Sequence, residues 1–597
     1  MIKKTIVHFK DGSSKTLIRV LKSFRPGSNQ NSKQVTIRNF GYLEDQTNLD
    51  AFWKEVNNVD GDMKKGYRKS LLISIPIDLR NNDICNKKYN YGYRFIEAIF
   101  EELKLESFFN QVDFKGDYSL YEVFEFLVYQ RILNPQSKRA SYQELDKFYN
   151  KCFSFSLADM YRSLDKFSDI SISLQVHLNQ QIKKIIGRDS SYAFYDVTNY
   201  YFEKDFNGPL GTYPQKGVSK EHQLGPIIQL GLFMDSNNLP IAMKTYPGNT
   251  SDSITLQPAM ADVKKDFNLG RLIVVADKGL NSASNIDYIV NNGDGYVVSQ
   301  ILKGPKGSKY HELMFNPEGY EGNENFRYKL FEENYESHIN SKKTTIRRRK
   351  VLIYWSKEDA SYAKAKRIEK TLKAERDLSN NAYSIDHSKK AYITTQYFND
   401  ISGEQANKSI SGVDYDKINE EEKFDGYFCI ITSELNYDHK KILEVYRNLW
   451  HIEESFKITK SDLETRPMYL TTQKHIDGHM LICYTALTIL RLIQYKLGEK
   501  ILTANRIKQV LNNCECIMIN EGVIWLNSVT GYYDYVAKMD QQLNSYMSLE
   551  LNKDEDIIRN NFIQMMKSFE VNLDKLVLSR NEFNKELKRV KYKIKKA

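Results

Sequence analysis

Residues 446–460 read YRNLWHIEESFKITK and carry two patterns at once. Tyr446, Glu453 and Lys460 lie seven positions apart, so a helix would place a phenol, a carboxylate and an ammonium on one face, with about 20° of drift per step. Apolar residues recur beside that face at steps of three and four, which predicts a helix that docks on a core. These apolar positions are Ile442, Val445, Leu449, Ile452 and Phe456. Taken alone, the polar face is more typical of a solvated helix surface.

Two aspartates upstream indicate that this helix face belongs to a site with several carboxylates. The stretch SYAFYDVTNYYF is rich in aromatic and β-branched residues and predicts a central strand with Asp196 in its middle. A carboxylate inside an apolar strand costs several kcal/mol unless it is paired, hydrogen-bonded or bound to a metal. A hydrogen bond to Thr198 or Asn199 is the structural alternative. A second buried strand ends in VVAD and delivers Asp277 at its carboxyl end, where open α/β sheets place their sites.

Three acidic residues therefore stand out, one within a strand, one at a strand end and one on a helix: Asp196, Asp277 and Glu453. Such carboxylates repel one another unless a divalent cation neutralises them, and oxygen ligands alone favour Mg²⁺ or Mn²⁺. Two ions about 3.5–4 Å apart can activate an attacking water or 3′-hydroxyl and stabilise the leaving oxygen of a phosphodiester. We prefer Glu453 to its neighbour Glu454, because Glu454 groups with Arg447, Trp450 and Ser461, a row that does not contain Lys460.

With these residues the sequence resembles the DDE transposases of bacterial insertion sequences, in the branch with a Y-x2-R-x3-E-x6-K signature and a β-strand insertion before the glutamate. The motifs FYDVTNYYFE, PGNTSD, VVADKGL and YRNLWHIEESFKITKSDLETRP carry the resemblance through their order and spacing across most of the chain. The resemblance implies an RNase H-like fold in which Asp196, Asp277 and Glu453 bind metal ions. It also implies that Tyr446 and Lys460 contact DNA near the scissile phosphate.

One position departs from the family signature. Where the family commonly has arginine, this chain has Leu449, which also belongs to the apolar stripe, so we expect its side chain in the core. Arg447 lies two residues earlier on a different helix face. The expected phosphate contact then falls to Arg447 or to Arg466.

Further basic segments are candidates for DNA contact. Lys plus Arg (86) exceed Asp plus Glu (76) by ten, which favours polyanionic partners. Arg347, Arg348 and Arg349 lead into a strand with Trp355, a combination suited to phosphate contact and base stacking, with a solvated charge run as the alternative. The first 40 residues predict a basic three-stranded module that either contacts phosphates or is only solvated. Residues 131–139 predict an interhelical turn that either holds DNA or is a plain turn.

Other classes of protein fit the sequence poorly. Its six cysteines are scattered, which argues against a structural zinc site. The N-terminus lacks the apolar core of a signal peptide, and the longest apolar run, residues 480–490, is shorter than the ~20 residues that span a bilayer. We therefore expect a soluble, cytoplasmic, nucleoid-associated bacterial protein with no membrane partner.

The expected fold class is α/β, an RNase H-like mixed-sheet catalytic core interrupted by a β-rich insertion, with a mostly helical N-terminal region and a helical C-terminal region. A chain of 597 residues is too long for one core. The expected parts are a small basic β-rich module (1–80), a helical DNA-binding region (81–190), the first part of the core (191–303), the insertion (304–423), the second part of the core (424–500) and a helical region for dimerisation or DNA contact (501–597).

These features predict a transposase that binds the inverted ends of its element, nicks DNA by metal-assisted hydrolysis and joins the released 3′-hydroxyl to target DNA. We expect two Mg²⁺ or Mn²⁺ ions per site and a homodimer on double-stranded DNA, because two ends must be handled together. One alternative is an RNase H-like nuclease or resolvase without strand transfer. The other is a non-enzymatic DNA-binding descendant that retains the scaffold.

Overall fold

The computed structural model describes residues 2–67, 87–379, 392–398, 408–526 and 553–594, with short gaps inside these ranges. The gaps are residues 10, 25–32, 189–190, 204, 206–207, 210–211, 221–223, 268, 306, 341, 499–501, 521–522 and 574–576. Contacts between residues divide the chain into two units, Met1–Arg80 and Asn81–Ala597.

The first unit is a three-stranded antiparallel sheet with one helix. Its elements are β1 (Ile2–His8), β2 (Ser14–Phe24), β3 (Lys33–Tyr42) and α1 (Leu49–Tyr67), and the strands lie in the order β1-β2-β3. Ile18 and Val20 of β2 share a buried cluster with Phe52 and Val56 of α1. The alternating apolar pattern of β2 thus buries one face of the sheet against the helix, and the predicted hairpin and third strand are confirmed.

The second unit begins with a short strand and a run of helices, as the helical period predicts. These elements are β4 (Lys88–Asn90), α2 (Tyr93–Glu102), α3 (Leu105–Phe109), α4 (Leu120–Leu133), α5 (Lys138–Tyr142), α6 (Leu157–Asp169) and α7 (Ser171–Ile186). In the turn between α4 and α5, two of the basic side chains, Arg131 and Lys138, are buried and have partners inside the protein. Arg131 donates to the carbonyl oxygen of Leu463 (3.2 Å), and Lys138 lies 3.2 Å from His479 Nδ1.

The core of the second unit is a mixed sheet of nine strands. Eight of them are β5 (Tyr192–Tyr201), β6 (Ile227–Met234), β7 (Pro240–Pro247), β8 (Ile273–Ala276), β9 (Gly295–Ser299), β10 (Glu321–Gly322), β11 (Phe326–Asn340) and β12 (Lys343–Ser356). β5, β6 and β7 form an antiparallel meander, whereas β8 and β9 run parallel to β5. The connections carry α8 (Asp252–Phe267) and α9 (Ala283–Asn291). The buried patterns of β6 and β8 explain why their sequences are continuously apolar.

The expected insertion continues this sheet and is not purely β-rich. Besides β10, β11 and β12, the insertion contains α10 (His311–Phe315), α11 (Lys357–Ser379), β13 (Ile393–Phe398), β14 (Lys408–Val413) and α12 (Tyr415–Glu422). The ninth strand of the sheet, β15 (Tyr427–Thr432), follows the insertion. The sheet order is β10-β11-β12-β15-β9-β8-β5-β6-β7. The hairpin of β11 and β12 joins the core through β15, because Val351, Leu352 and Ile353 are buried there.

The C-terminal part of the second unit mixes helices with strands. Its elements are α13 (His439–Arg447), α14 (Trp450–Lys457), α15 (Gln473–Leu497), α16 (Ala504–Asn513), β16 (Glu515–Asn520), β17 (Val523–Leu526), α17 (Lys553–Ser568), β18 (Val577–Ser579) and α18 (Arg580–Arg589). A second sheet has the order β18-β17-β16-β4. The expectation of a helical region over 501–597 is therefore wrong in part, because strands from both ends of this unit pair with each other.

α15 is a core helix. It is the one helix among the described residues that is long and apolar enough to cross a membrane, and 94% of its apolar window is buried inside the protein. The apolar run at residues 480–490 is thus the middle of a longer buried helix.

Candidate functional site

The segment that follows β15 is not one regular helix. α13 ends at Arg447 and α14 begins at Trp450, and the backbone N–H of Leu449 donates to the carbonyl oxygen of Tyr446 (3.0 Å) in a tighter three-residue turn. A π-helical turn, Ile458–Asp462, follows α14. The prediction of a single helix is therefore wrong. The buried stripe is nevertheless confirmed, and it consists of Ile442, Val445, Leu449, Ile452 and Phe456.

Asp196 lies in the middle of β5, opposite Leu232 of β6. Its Oδ1 atom accepts a hydrogen bond from the backbone N–H of Val197 (2.7 Å) and lies 4.0 Å from Nζ of Lys220. The pKa of the Asp196 carboxyl is raised to about 6, chiefly by burial; the charge of Asp277 contributes to the rise, and the Lys220 ammonium opposes it. Asp196 is thus a strained carboxylate with a cation beside it.

Asp277 follows β8 directly and is held by two hydroxyl groups. Its Oδ1 atom accepts hydrogen bonds from Oγ of Ser299 (2.8 Å) and from the phenol of Tyr446 (3.2 Å). Burial and the charge of Asp277 raise the pKa of the Tyr446 phenol, so Tyr446 stays a neutral donor. The structure therefore places Tyr446 on a carboxylate, where the family resemblance implies a DNA contact.

Glu453 opens onto a cavity of about 340 Å³ together with Asp196. Glu453 is exposed, and partial desolvation followed by the charge of Asp277 raises the pKa of its carboxyl. Burial and the nearby Lys220 ammonium lower the pKa of Lys460 to about 8. The other lining residues are Val197, Thr198, Phe456, Lys457, Ser461 and Arg466. Two carboxylates and four cationic side chains thus surround one space.

The neighbouring Glu454 has a structural role. Its Oε2 atom accepts a hydrogen bond from the buried Arg491 of α15 (2.9 Å). A hydrogen bond with His451 and the charge of Arg491 lower the pKa of Glu454 to about 2. Glu454 therefore faces the core, and Glu453 faces the cavity.

The two arginines considered as substitutes at Leu449 lie in different places. Arg466 lines the cavity, and its guanidinium lies 5.7 Å from the ring of Tyr201. Arg447 is exposed at the end of α13 and does not line this cavity. The geometry therefore favours Arg466 as the cation next to the carboxylates.

The basic run on β12 is largely tied into the sheet. Arg349 is buried and pairs with Glu333 (2.6 Å), whereas Arg348 is exposed and lies 3.4 Å from Glu332. Arg347 donates to Oδ1 of Asn291 (3.0 Å), and Trp355 is covered by the Arg327 guanidinium at 4.8 Å. Of these predicted DNA contacts, Arg348 presents the most accessible charge.

Lys220 is the main site residue that sequence reasoning missed. It lies in the loop between β5 and β6, where its Nζ atom contacts the Val197 carbonyl oxygen and lies 3.2 Å from Oδ2 of Asp252. A single lysine in a polar loop carries no local signal. Only the fold reveals that this loop returns to the strand that holds Asp196.

Asp196, Asp277 and Glu453 offer the type of ligand atom that a hard divalent cation prefers. Among the described residues, however, no group of three or more His, Cys, Asp or Glu side chains is arranged to hold a metal ion. The available donors are carboxylate oxygens, which Mg²⁺ and Mn²⁺ prefer. The charge of Asp277 raises the pKa of both Asp196 and Glu453, so the three acids repel one another. A bound cation would relieve this repulsion.

A comparison with protein-family models matches part of this chain. Residues 212–489 match the family described as "Transposase DDE domain". The matched span begins after Asp196 and includes Asp277 and Glu453. No curated protein matches the chain.

Three solved structures show weaker similarity. A piggyBac transposase synaptic complex with hairpin DNA has 9% identity and a TM-score of 0.34, covering 79% of this chain and 84% of that chain. A Mos1 transposase paired-end complex with the left transposon end has 12% identity and a TM-score of 0.13. The Mos1 mariner paired-end complex with Mn has 15% identity and a TM-score of 0.13. Each Mos1 match covers 34% of this chain and 65% of that chain.

Proposed function

We propose that this chain is a DNA transposase of the DDE type. In this proposal it binds the inverted ends of an insertion sequence, cleaves DNA by metal-dependent phosphodiester hydrolysis and joins the 3′ ends to target DNA. The observation that carries the proposal is the cavity that Asp196 and Glu453 share with four cations. The match of residues 212–489 to the transposase DDE domain supports the same reaction class.

We propose an RNase H-like core for residues 191–303 and 424–500. Support comes from the order and direction of the first five sheet strands. If β5 to β9 are numbered 1 to 5 in chain order, their order across the sheet is 3-2-1-4-5, and strands 4 and 5 run parallel to strand 1. Asp196 on the first strand and Asp277 after the fourth then lie on neighbouring strands.

We assign metal binding to Asp196, Asp277 and Glu453, with two Mg²⁺ or Mn²⁺ ions per site. A bound ion supplies Lewis acidity toward the attacking and leaving oxygens. Lys460 and Arg466 bind the phosphodiester beside the carboxylates, because their charges complement phosphate and they line the same cavity.

Tyr446 and Ser299 have a positioning role in this proposal. Their hydroxyl groups donate to the same Oδ1 atom of Asp277, which fixes that carboxylate. The second oxygen, Oδ2, receives neither of these two hydrogen bonds. For the assembly we propose a homodimer on double-stranded DNA, in the cytoplasm of a bacterium, because both element ends must be processed together.

The test uses the full-length chain with Mn²⁺ and DNA that carries the terminal inverted repeats flanking its gene. Asp196→Asn should abolish nicking and leave DNA binding intact, whereas Asp205→Asn, an exposed loop substitution, should change neither. Full nicking activity in Asp196→Asn would contradict the assignment. Pre-cleaved ends should be joined to a target plasmid, and their failure to join would indicate a nuclease without strand transfer.

A further inference from the structure

The charges of the first unit are divided between its sheet and its helix. β1, β2 and β3 together contain seven Lys or Arg residues and no Asp or Glu. α1 contains four acidic and three basic residues. A sheet that carries only positive charge costs electrostatic energy through like-charge repulsion, and a polyanion would offset this cost.

The strand register gathers part of this charge into one row. Lys3 of β1 is directly opposite Arg19 of β2, and Arg19 is directly opposite Asn39 of β3. Side chains of a strand alternate between the two faces, and Ile18 and Val20 face α1. Lys3, Arg19 and Asn39 therefore form a row across all three strands on the face remote from the helix.

Other basic residues of the same strands lie on the helix side and are engaged there. Lys4 lies opposite Ile18, and its Nζ atom is 4.7 Å from the ring of Trp53 in α1. Arg38 pairs with Glu55 of α1 at 2.7 Å. The helix engages both of these cations. On the opposite face Lys15 pairs with Asp45 (2.5 Å), but no residue of the strands beside Lys3, Arg19 and Asn39 is acidic.

The row combines three kinds of hydrogen-bond donor. Lys3 and Asn39 are exposed, whereas Arg19 is half-buried and donates to Oγ1 of Thr5 (3.2 Å). An ammonium and a guanidinium suit phosphate oxygens, and an amide suits a base edge or a sugar. Two- and three-stranded sheets are of a size that docks in a DNA groove.

We propose that the Lys3–Arg19–Asn39 face of the first unit is a docking surface for double-stranded DNA, with Lys3 and Arg19 on the phosphates. The DNA class follows from the proposed function, but binding at this face requires no catalysis. The surface would give the chain a second DNA contact besides its candidate active site.

The test measures binding of the full-length chain to a DNA duplex of about 30 base pairs in EDTA, over roughly 50–200 mM salt. Lys3→Gln/Arg19→Gln should weaken binding about tenfold or more and make the slope of log K against log salt less negative by about two, since each phosphate contact contributes about 0.9. The matched control, Lys4→Gln/Arg38→Gln, removes the same charge from the helix side and should change affinity by less than about threefold. Circular dichroism establishes that both variants fold.

Equal losses in the two double variants would overturn the proposal, because a general charge effect would then explain the binding. Unchanged binding in Lys3→Gln/Arg19→Gln, or tighter wild-type binding to an RNA duplex of the same sequence, would overturn it as well. Nicking in Mn²⁺ at saturating protein separates the two proposals. If the wild-type chain never nicks DNA but the sheet variant loses binding, the proposed chemistry fails and the docking surface stands.

Discussion

At the residue scale, Asp196 occupies a position that costs stability whenever its carboxyl group is ionised. Its pKa in the folded protein is about 6, against an ordinary value of 3.8, so the folded chain binds this proton more tightly than the unfolded chain. Stability therefore falls as pH rises from about 4 to about 6 and stays lowered above that, by about 1–3 kcal/mol. A site that accepts this cost at neutral pH is typical of a functional carboxylate.

Asp196→Asn should therefore stabilise the metal-free protein in a pH-dependent way. In EDTA, the gain in Tm over wild type should grow from pH 4.5 to about 6 and then level off, because the amide cannot ionise. Asp205→Asn on the exposed loop serves as the control and should give no such profile. A gain that shrinks as pH rises would mean that Asp196 is stabilised by its partners and not strained.

Lys220 offsets part of this cost, since its ammonium lies between Asp196 and Asp252. Lys220→Met should lower the Tm in EDTA, by a loss of about 1 kcal/mol at most because the lysine side chain is exposed. Added Mn²⁺ should raise the Tm of the variant more than that of the wild type, because the cation then replaces the missing charge. Lys216→Met, which removes an exposed lysine of the same loop, is the control. Equal Mn²⁺-induced gains in all three proteins would contradict this role.

At the scale of elements, α14 is held by the buried Arg491, whose ion pair with the half-buried Glu454 also sets the direction of Glu453. Arg491 of α15 donates to Glu454 (2.9 Å), to Oγ of Ser455 (2.7 Å) and to the carbonyl oxygen of His451 (2.9 Å). These three polar contacts on one side of α14 fix its rotation, which leaves Glu453 on the cavity side. The side of this helix that lines the cavity thus depends on a structural contact on its opposite side.

Glu454→Ala and Glu453→Gln should separate these two roles. Glu454→Ala leaves the buried guanidinium of Arg491 without its carboxylate and should cost about 2–4 kcal/mol, seen as a lower Tm. Glu453→Gln should leave the Tm unchanged or higher and still abolish Mn²⁺-dependent nicking. If Glu453→Gln destabilised the protein more than Glu454→Ala, the assignment of the two glutamates would have to be reversed.

Local sequence patterns predicted most elements but not their long-range partners. The apolar stripe through Leu449 and the strand around Asp196 follow from periodicity and composition, so they were predictable. The pairing of β12 with β15 and of β16 with β4 joins segments far apart in sequence, which no local pattern encodes. The position of Lys220 was not predictable for the same reason, since its place beside β5 depends on how β5 and β6 pair.

At the scale of the whole molecule, each of the two units has an apolar core of its own. The core of the first unit consists of residues from its own sheet and helix, such as Ile18 and Phe52. The described cores of the second unit begin at Tyr91. A core of its own is what allows a domain to fold by itself.

A chain of residues 81–597 should fold without the first unit but bind DNA more weakly than the full-length chain. Its Tm should lie within a few degrees of the full-length value, because no core residue of the second unit is removed. DNA affinity should fall at least as much as in Lys3→Gln/Arg19→Gln, whereas nicking at saturating DNA should persist, because Asp196, Asp277 and Glu453 all remain. Thermal melting and Mn²⁺-dependent nicking across a DNA titration measure the two effects. A truncated chain that folds and binds DNA as tightly as the full-length chain would place the main DNA contact in the second unit.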